Sequence, residues 1–199
     1  MLNPFFKRYI LFVLMLLPAS LLRAQTDLDA IMMSKNNFCV GAAICTAADG
    51  AGTFTPAGHW NAIAAEDFIQ KNFSEVRWAR NLALLNCAEM DAAVSCWDIK
   101  YYYFNPRPSQ MNGDIKTLTG IPNFPSYVSG HSMFSGAAAT ILGHIVPERA
   151  SAYMQMAQDA ANSRFVGGIH YKIDCEAGMT VGKKIGNYAA LRATQDGAE

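Results

Sequence analysis

A stretch of about thirty residues, Ser74 to Tyr103, carries its apolar side chains at helical spacing. Trp78, Leu82, Leu85, Ala88, Ala92 and Cys96 mark one face of it. Ser74 is of the type that caps a helix amino terminus, although Arg77 stands where a full capping box would have Glu. Pro106 and Pro108 lack the N–H that a helix needs and so end the run. A helix of this length ties the fold to helix-on-helix packing.

The remainder follows the same period. From His59, residues Trp60, Ile63, Ala64 and Phe68 recur at spacings of three and four. Residues 105–128 hold four prolines and read as a connecting loop of functional length. His131 to Ile145 is a Gly/Ala-rich helix stopped by Pro147. Glu148 to Phe165 forms the next, with Tyr153, Met156, Ala157 and Ala160 inward, and Asp174 to Leu191 the last. No run alternates as a strand would, and no repeat is present. The expected class is all-α, a single-domain bundle of five to six helices over residues 58–192 with a tail at 193–199.

The amino-terminal third reads differently. Lys7 and Arg8 precede an apolar run from Tyr9 to Leu17, followed by Pro18, small residues and Ala24. That is the order of a secretory signal peptide over residues 1–24, with cleavage expected after Ala24. Residues 25–57 read as an extension that is mostly loop. The run Met133 to Val146 is too short for a membrane span and is broken by Gly136, Gly143 and His144. A periplasmic or secreted protein with no stable membrane span after cleavage is expected.

With 16 basic and 16 acidic residues the formal charge is zero, and no basic block offers itself to nucleic acid. Losing Lys7, Arg8 and Arg23 would leave about −3. Five cysteines make an odd count. Cys87 and Cys96 lie nine residues apart in one helix, about 13 Å, too far for a disulfide. Cys39 and Cys45 could close a small loop in an oxidising compartment, and no spacing resembles a zinc site; the others read as small buried hydrophobes. Oligomeric state stays open.

Three clusters carry chemistry. In the first, Lys100 stands near the end of a helix, with Arg107 and Pro108 just beyond it. In the second, Ser126-Tyr127-Val128-Ser129-Gly130-His131 opens a helix whose amide groups and dipole favour an anion, with His131 in the first turn. In the third, Ser163-Arg164 is followed by His170 and, four residues later, Asp174. That interval is one helical turn, which sets the carboxylate against the imidazole and selects its tautomer. Cations, a helix amino terminus and two histidines suit a tetrahedral oxyanion such as phosphate. His59 reads as a cap or core partner and His144 as structural. Tyr101, Tyr102, Tyr103 and Phe104 suit either a pocket mouth or the core.

The three clusters resemble the signature of the type 2 phosphatidic acid phosphatase superfamily: K-x6-RP, then PSGH, then SR-x5-H-x3-D. This superfamily includes bacterial acid phosphatases, lipid phosphatases and vanadium-dependent haloperoxidases. Val128 stands where the family has proline, which removes a rigid turn but no reacting group. The resemblance implies that Lys100, Arg107 and Arg164 bind phosphate oxygens, with hydrogen bonds added by Ser129 and the Gly130 amide. It implies that His170 is the nucleophile, oriented by Asp174, and His131 the general acid. No resident cofactor is implied for a phosphatase; in the haloperoxidase branch vanadate would occupy the phosphate site. An exported acid phosphatase acting on small phosphomonoesters through a phosphohistidine is the leading expectation. A vanadium-dependent haloperoxidase-like enzyme and a non-catalytic or truncated oxyanion-binding domain are the alternatives.

Overall fold

The computed structural model describes residues 55–117 and 119–198, so the expectations for the signal segment, the extension up to residue 54 and the Cys39–Cys45 pair lie outside the described residues. Those described form helices and connecting turns: α1 (Pro56–Gln70), α2 (Glu75–Tyr103), α3 (Pro108–Met111), α4 (Gly130–Ile145), α5 (Ala150–Val166) and α6 (Lys172–Ala193). The class is all-α, with five long helices, the single turn α3 and a 3-10 turn at Pro147–Arg149.

Local chemistry sets most boundaries. Thr55 Oγ1 accepts from Gly58 N at 3.2 Å and Pro56 occupies the first turn, so α1 begins three residues ahead of the expected start. His59 is therefore inside α1, and burial pushes its imidazole pKa down. Ser74 caps α2 by accepting from Arg77 N at 3.4 Å. The helix stops at Phe104, a left-handed residue (φ 51°) whose N–H still reaches Lys100 O, two positions before Pro106. Within the expected loop 105–128, Pro108 starts the one-turn α3. Pro147 starts a 3-10 turn, which delays α5 to Ala150.

The core lies mainly around α4. Its buried residues include Met133, Ala137, Ala138, Ile141 and Leu142, packed with Leu85, Ala88, Ala92 and Cys96 of α2 and Tyr153, Ala157 and Ala161 of α5. Met156, expected inward, is exposed, because Tyr153, Ala157 and Ala161, spaced by four, occupy the inner face of α5. Tyr101, Tyr102, Tyr103 and Phe104 are all exposed, which excludes the core reading. His144 is likewise exposed, near the carboxyl end of α4. Of the thiols, Cys96 and Cys175 are buried and Cys87 is exposed; none of these three is in a disulfide.

The tightest approach is between α6 and α4. A Cβ on Gly178 would lie 2.6 Å from Ser129 O, one on Gly182 2.2 Å from Met133 O, and one on Gly186 2.7 Å from Ala137 O. Spaced by four, these glycines form one stripe along α6 against the backbone of α4. The contact aligns the amino ends of the two helices, where Ser129 N donates to Asp174 O at 3.0 Å. Among the described residues no helix is long and apolar enough to cross a membrane.

A buried polar link ties α1 to the α5 region. Asp67 is 2% exposed and accepts from Arg149 on one oxygen and from the Tyr153 hydroxyl on the other. Asp67→Ala would strand the buried Tyr153 hydroxyl and is expected to cost about 2–3 kcal/mol in urea denaturation, against about 1 kcal/mol for Tyr153→Phe. Equal effects would show that the hydroxyl pairing carries the whole contribution of Asp67 and the Arg149 pair adds none.

Candidate active site

Three segments converge: the carboxyl end of α2 with the turn into α3, the loop leading into α4, and the turn from α5 into α6. The segment after α2 delivers Arg107, buried although charged. Its Nη1 donates to Ile169 O at 2.7 Å and to His170 Nε2 at 3.0 Å, and its Nε to Phe124 O at 3.2 Å. Lys100, 0% exposed, donates to Pro125 O at 2.8 Å and Ser126 O at 3.0 Å. These carbonyls replace the water that both cations lose. Burial nonetheless lowers the lysine pKa to about 8 and the arginine to about 10.

His170 departs from the expected geometry. The helix α6 starts at Lys172, two residues ahead of the expected Asp174, yet His170 still precedes it, so the interval from His170 to Asp174 is not a helical turn: Tyr171 is the N-cap and Asp174 the third helical residue. The Asp174 carboxylate turns back over the helix end, and its Oδ2 accepts from Tyr171 N at 3.2 Å and pairs with His170 Nδ1 at 3.0 Å. A guanidinium can only donate, so Nε2 of His170 accepts from Arg107 and Nδ1 carries the proton toward Asp174. Burial, reinforced by Arg107 and Lys100 and opposed by Asp174, pulls the imidazole pKa down to about 4. His170 is thus neutral above that pH, with its Nε2 lone pair on the side of Arg107.

Ser126 is a member of the site whose part the sequence reading did not assign. Its hydroxyl donates to Asp174 Oδ2 at 2.6 Å, and its own carbonyl accepts from Lys100. Burial alone would raise the Asp174 pKa, but the hydrogen bonds from His170, Ser126 and the Tyr171 amide hold it below the ordinary carboxylate range. Ser126 and Asp174 lie 48 positions apart, so only their position in the motif-bearing loop marked this serine in the sequence.

At the start of α4, Ser129 is fully buried and its hydroxyl oxygen accepts from Ser132 N at 3.4 Å and Ser132 Oγ at 2.9 Å. Val128 is buried at 1%, and the Tyr127–Val128 peptide is cis. At the end of α5, Arg164 Nε donates to Ser163 Oγ at 3.0 Å, and its Nη1 lies 3.5 Å from His131 Nε2. The two histidines therefore each neighbour a different arginine.

A cleft of about 640 Å³ opens over this cluster, and Arg107, Gly130, His131, Arg164 and His170 line it. Lys100, Ser129 and Asp174 are not on its walls: they sit one layer behind, against the backbone carbonyls, the first turn of α4 and His170 respectively. Among the described residues no three His, Cys, Asp or Glu side chains are grouped to hold a metal ion. The arrangement presents guanidinium donors, a helix amino terminus and a neutral imidazole to one space, which suits an anionic tetrahedral group.

Lys100 makes the site sensitive to alkali. Sulfate keeps its charge across the range of interest, so its affinity should be level below about pH 8 and weaken above it as Lys100, one layer behind the cleft, loses its charge. Trp97, on the cleft wall, provides a fluorescence readout. A flat affinity up to pH 10 would show that Lys100 does not act on the anion.

Comparison with known proteins gives a consistent picture. The sequence profile of the PAP2 superfamily matches residues 81–193. An acid phosphatase of Zymomonas mobilis is 33% identical over 81 residues, spanning 41% of this chain and 30% of that protein. A bacterial vanadium-dependent iodoperoxidase superposes with a TM-score of 0.68 at 26% identity, covering 84% of this chain and 46% of that one. A transmembrane PAP2-type phosphatidylglycerolphosphate phosphatase from Bacillus subtilis superposes at 0.58 over 98% and 96% of the two chains, at 16% identity, a likeness of fold alone. The chain thus spans less than half of the iodoperoxidase and less than a third of the acid phosphatase.

Proposed function

This chain belongs to the PAP2 superfamily, and we propose that it hydrolyses phosphomonoesters through a phosphohistidine formed on His170. The observation that carries the reading is the neutral imidazole of His170, its proton directed to Asp174 and its Nε2 lone pair facing Arg107. An incoming phosphate oxygen takes over the Arg107 hydrogen bond, which releases Nε2 to attack phosphorus in line. Arg107, Arg164 and the Gly130 amide hold the oxygens as charge builds on them, and Lys100 adds positive field from behind. His131 donates a proton to the departing alkoxide, giving the alcohol. The same imidazole then takes a proton from water, whose oxygen attacks the phosphohistidine and regenerates His170 with release of phosphate. Asp174 keeps the Nδ1 proton in place throughout and stabilises the positive charge on the ring.

The compartment in this reading is periplasmic or extracellular, supported by the charged, apolar and small residues in sequence over 1–24. A mature amino terminus at residue 25 in exported protein would check it.

A second reading draws on the likeness to the iodoperoxidase. The donor set also fits vanadate: Arg107, Arg164 and Lys100 would balance its oxygens and His170 Nε2 would bond the metal, which when bound supplies peroxide-dependent halide oxidation. Purified protein given a chromogenic aryl phosphate at pH 5–7, with and without orthovanadate, separates the two. Turnover blocked by vanadate is expected. Silence there, with halide oxidation once vanadate and peroxide are added, would replace the phosphatase with the peroxidase. Silence in both assays from folded protein that still binds phosphate would leave an oxyanion-binding domain.

A further inference from the structure

We infer that the cleft selects monophosphates of apolar alcohols, with an aromatic ring as the best fit, over esters of sugars or polyols. The inference rests on the phosphatase reading and deepens it by naming the substrate class.

The volume exceeds what a phosphate group fills and lies within the range of about 300–1,000 Å³ common for small-molecule sites. Above the anion-binding floor the walls are Trp97, Ile121, Pro122, Phe124, Phe134 and Ile169. Among the described residues, the polar side chains on the rest of the lining are those of Thr55 and Thr119, and no carboxylate or lysine is present there. A polyol entering this space loses hydrogen bonds to water and finds few in return. A substrate with a second phosphate finds no further cation on these walls. An apolar group gains by leaving water, in proportion to the area it buries.

Phe124 joins the two halves of the cleft. Lys100 Nζ lies 5.1 Å and Arg107 Cζ 5.2 Å from its ring centroid, so the cations of the phosphate end rest against it. Its ring also packs against Trp97, with centroids 5.3 Å apart and planes tilted by 47°. Trp97 remains 37% exposed and Ile121 47%, so both have surface left to cover with a ligand. A ring carried on the phosphate oxygen would meet these faces directly.

The test compares benzyl phosphate with glycerol 3-phosphate, both esters of primary alcohols, so that leaving-group chemistry differs little. Benzyl phosphate should have the higher kcat/KM by about 10–100-fold. Trp97→Ala should erase most of that ratio while leaving inhibition by inorganic phosphate within about threefold. If Trp97→Ala loses phosphate inhibition as well, and so its fold, Ile121→Asn on the exposed rim should lower the ratio instead. Equal kcat/KM for the two esters would overturn the inference. Hexyl phosphate matching benzyl phosphate would overturn the ring preference and leave apolarity as the only criterion. If neither ester turns over, the phosphatase reading fails; tighter binding of benzylphosphonate than of methylphosphonate would still support an apolar cleft, and equal binding would overturn that too.

Discussion

His170→Ala is expected to reduce kcat for an aryl phosphate by about 10⁴-fold while inorganic phosphate continues to bind. The substitution removes the attacking nitrogen but leaves the Arg107 guanidinium anchored by its bonds to Ile169 O and Phe124 O. Arg164 keeps its bond to Ser163. Asp174→Asn should give an intermediate loss, about 10²–10⁴-fold. The amide can present its NH2 to Nδ1 and so favour the tautomer with the proton on Nε2, where the lone pair is needed. The acid limb adds a check: with the His170 pKa near 4, kcat/KM of wild type should fall only below about that pH on the nucleophile's account. The stability linked to this histidine has the matching sign. The unfolded chain takes up a proton below about 6.5 and the folded one below about 4, so stability drops as pH falls between those values. An unchanged rate in His170→Ala would remove the phosphohistidine from the mechanism.

The second large effect is on folding. Gly182→Ala would set a Cβ 2.2 Å from Met133 O and 3.1 Å from Ala137 N, atoms of the α4 backbone that no rotamer can move. The intrinsic gain of about 1 kcal/mol from alanine in a helix is outweighed by separating two helices along their closest line. A net loss of about 3 kcal/mol is expected, or a melting temperature lower by about 6–12 °C. Activity at low temperature should fall as well, because the same contact holds Asp174 beside the start of α4. Gly113→Ala, with nothing within 4 Å of the added carbon, should stay within about 0.5 kcal/mol of wild type. Similar melting temperatures for the two variants would mean that α6 can back away from α4 at little cost.

Much of the fold was open to a reading of local chemistry. Ser74 caps α2 as expected, and Tyr103 is its last residue. Pro147 ends the α4 helix where anticipated. Such signals act within one or two turns, where a cap or a missing N–H decides the backbone regardless of the partners. The clusters around Lys100-Arg107, Ser129-His131 and Arg164-His170-Asp174 could be found in the same way, as chemistry-bearing residues at set spacings, and the folded chain gathers them around one cleft.

What needed the tertiary structure was each property that depends on a distant neighbour. The length of α2 and the residue types on it were plain, yet Glu89 on its inner face is 2% exposed with its pKa raised by burial to about 9, which no heptad count announces. Met156 fits an inward period as well as Ala161 does, and only the packing of α4 against α5 chose between them. The glycines of α6 would be mere helix-weakening residues in isolation; opposite the α4 backbone they permit its closest contact. Lys100 and Ser129 withdraw behind the cleft, and Ser126 enters through a hydroxyl aimed at a carboxylate 48 positions away. By itself, then, the sequence determined which stretches are helical, several of their ends, and which chemistry-bearing residues recur at set spacings, because caps, prolines and side-chain chemistry are local. The tertiary structure decided which of them line the cleft and which stand behind, because burial and hydrogen bonding belong to pairs of segments that meet only when the chain has folded.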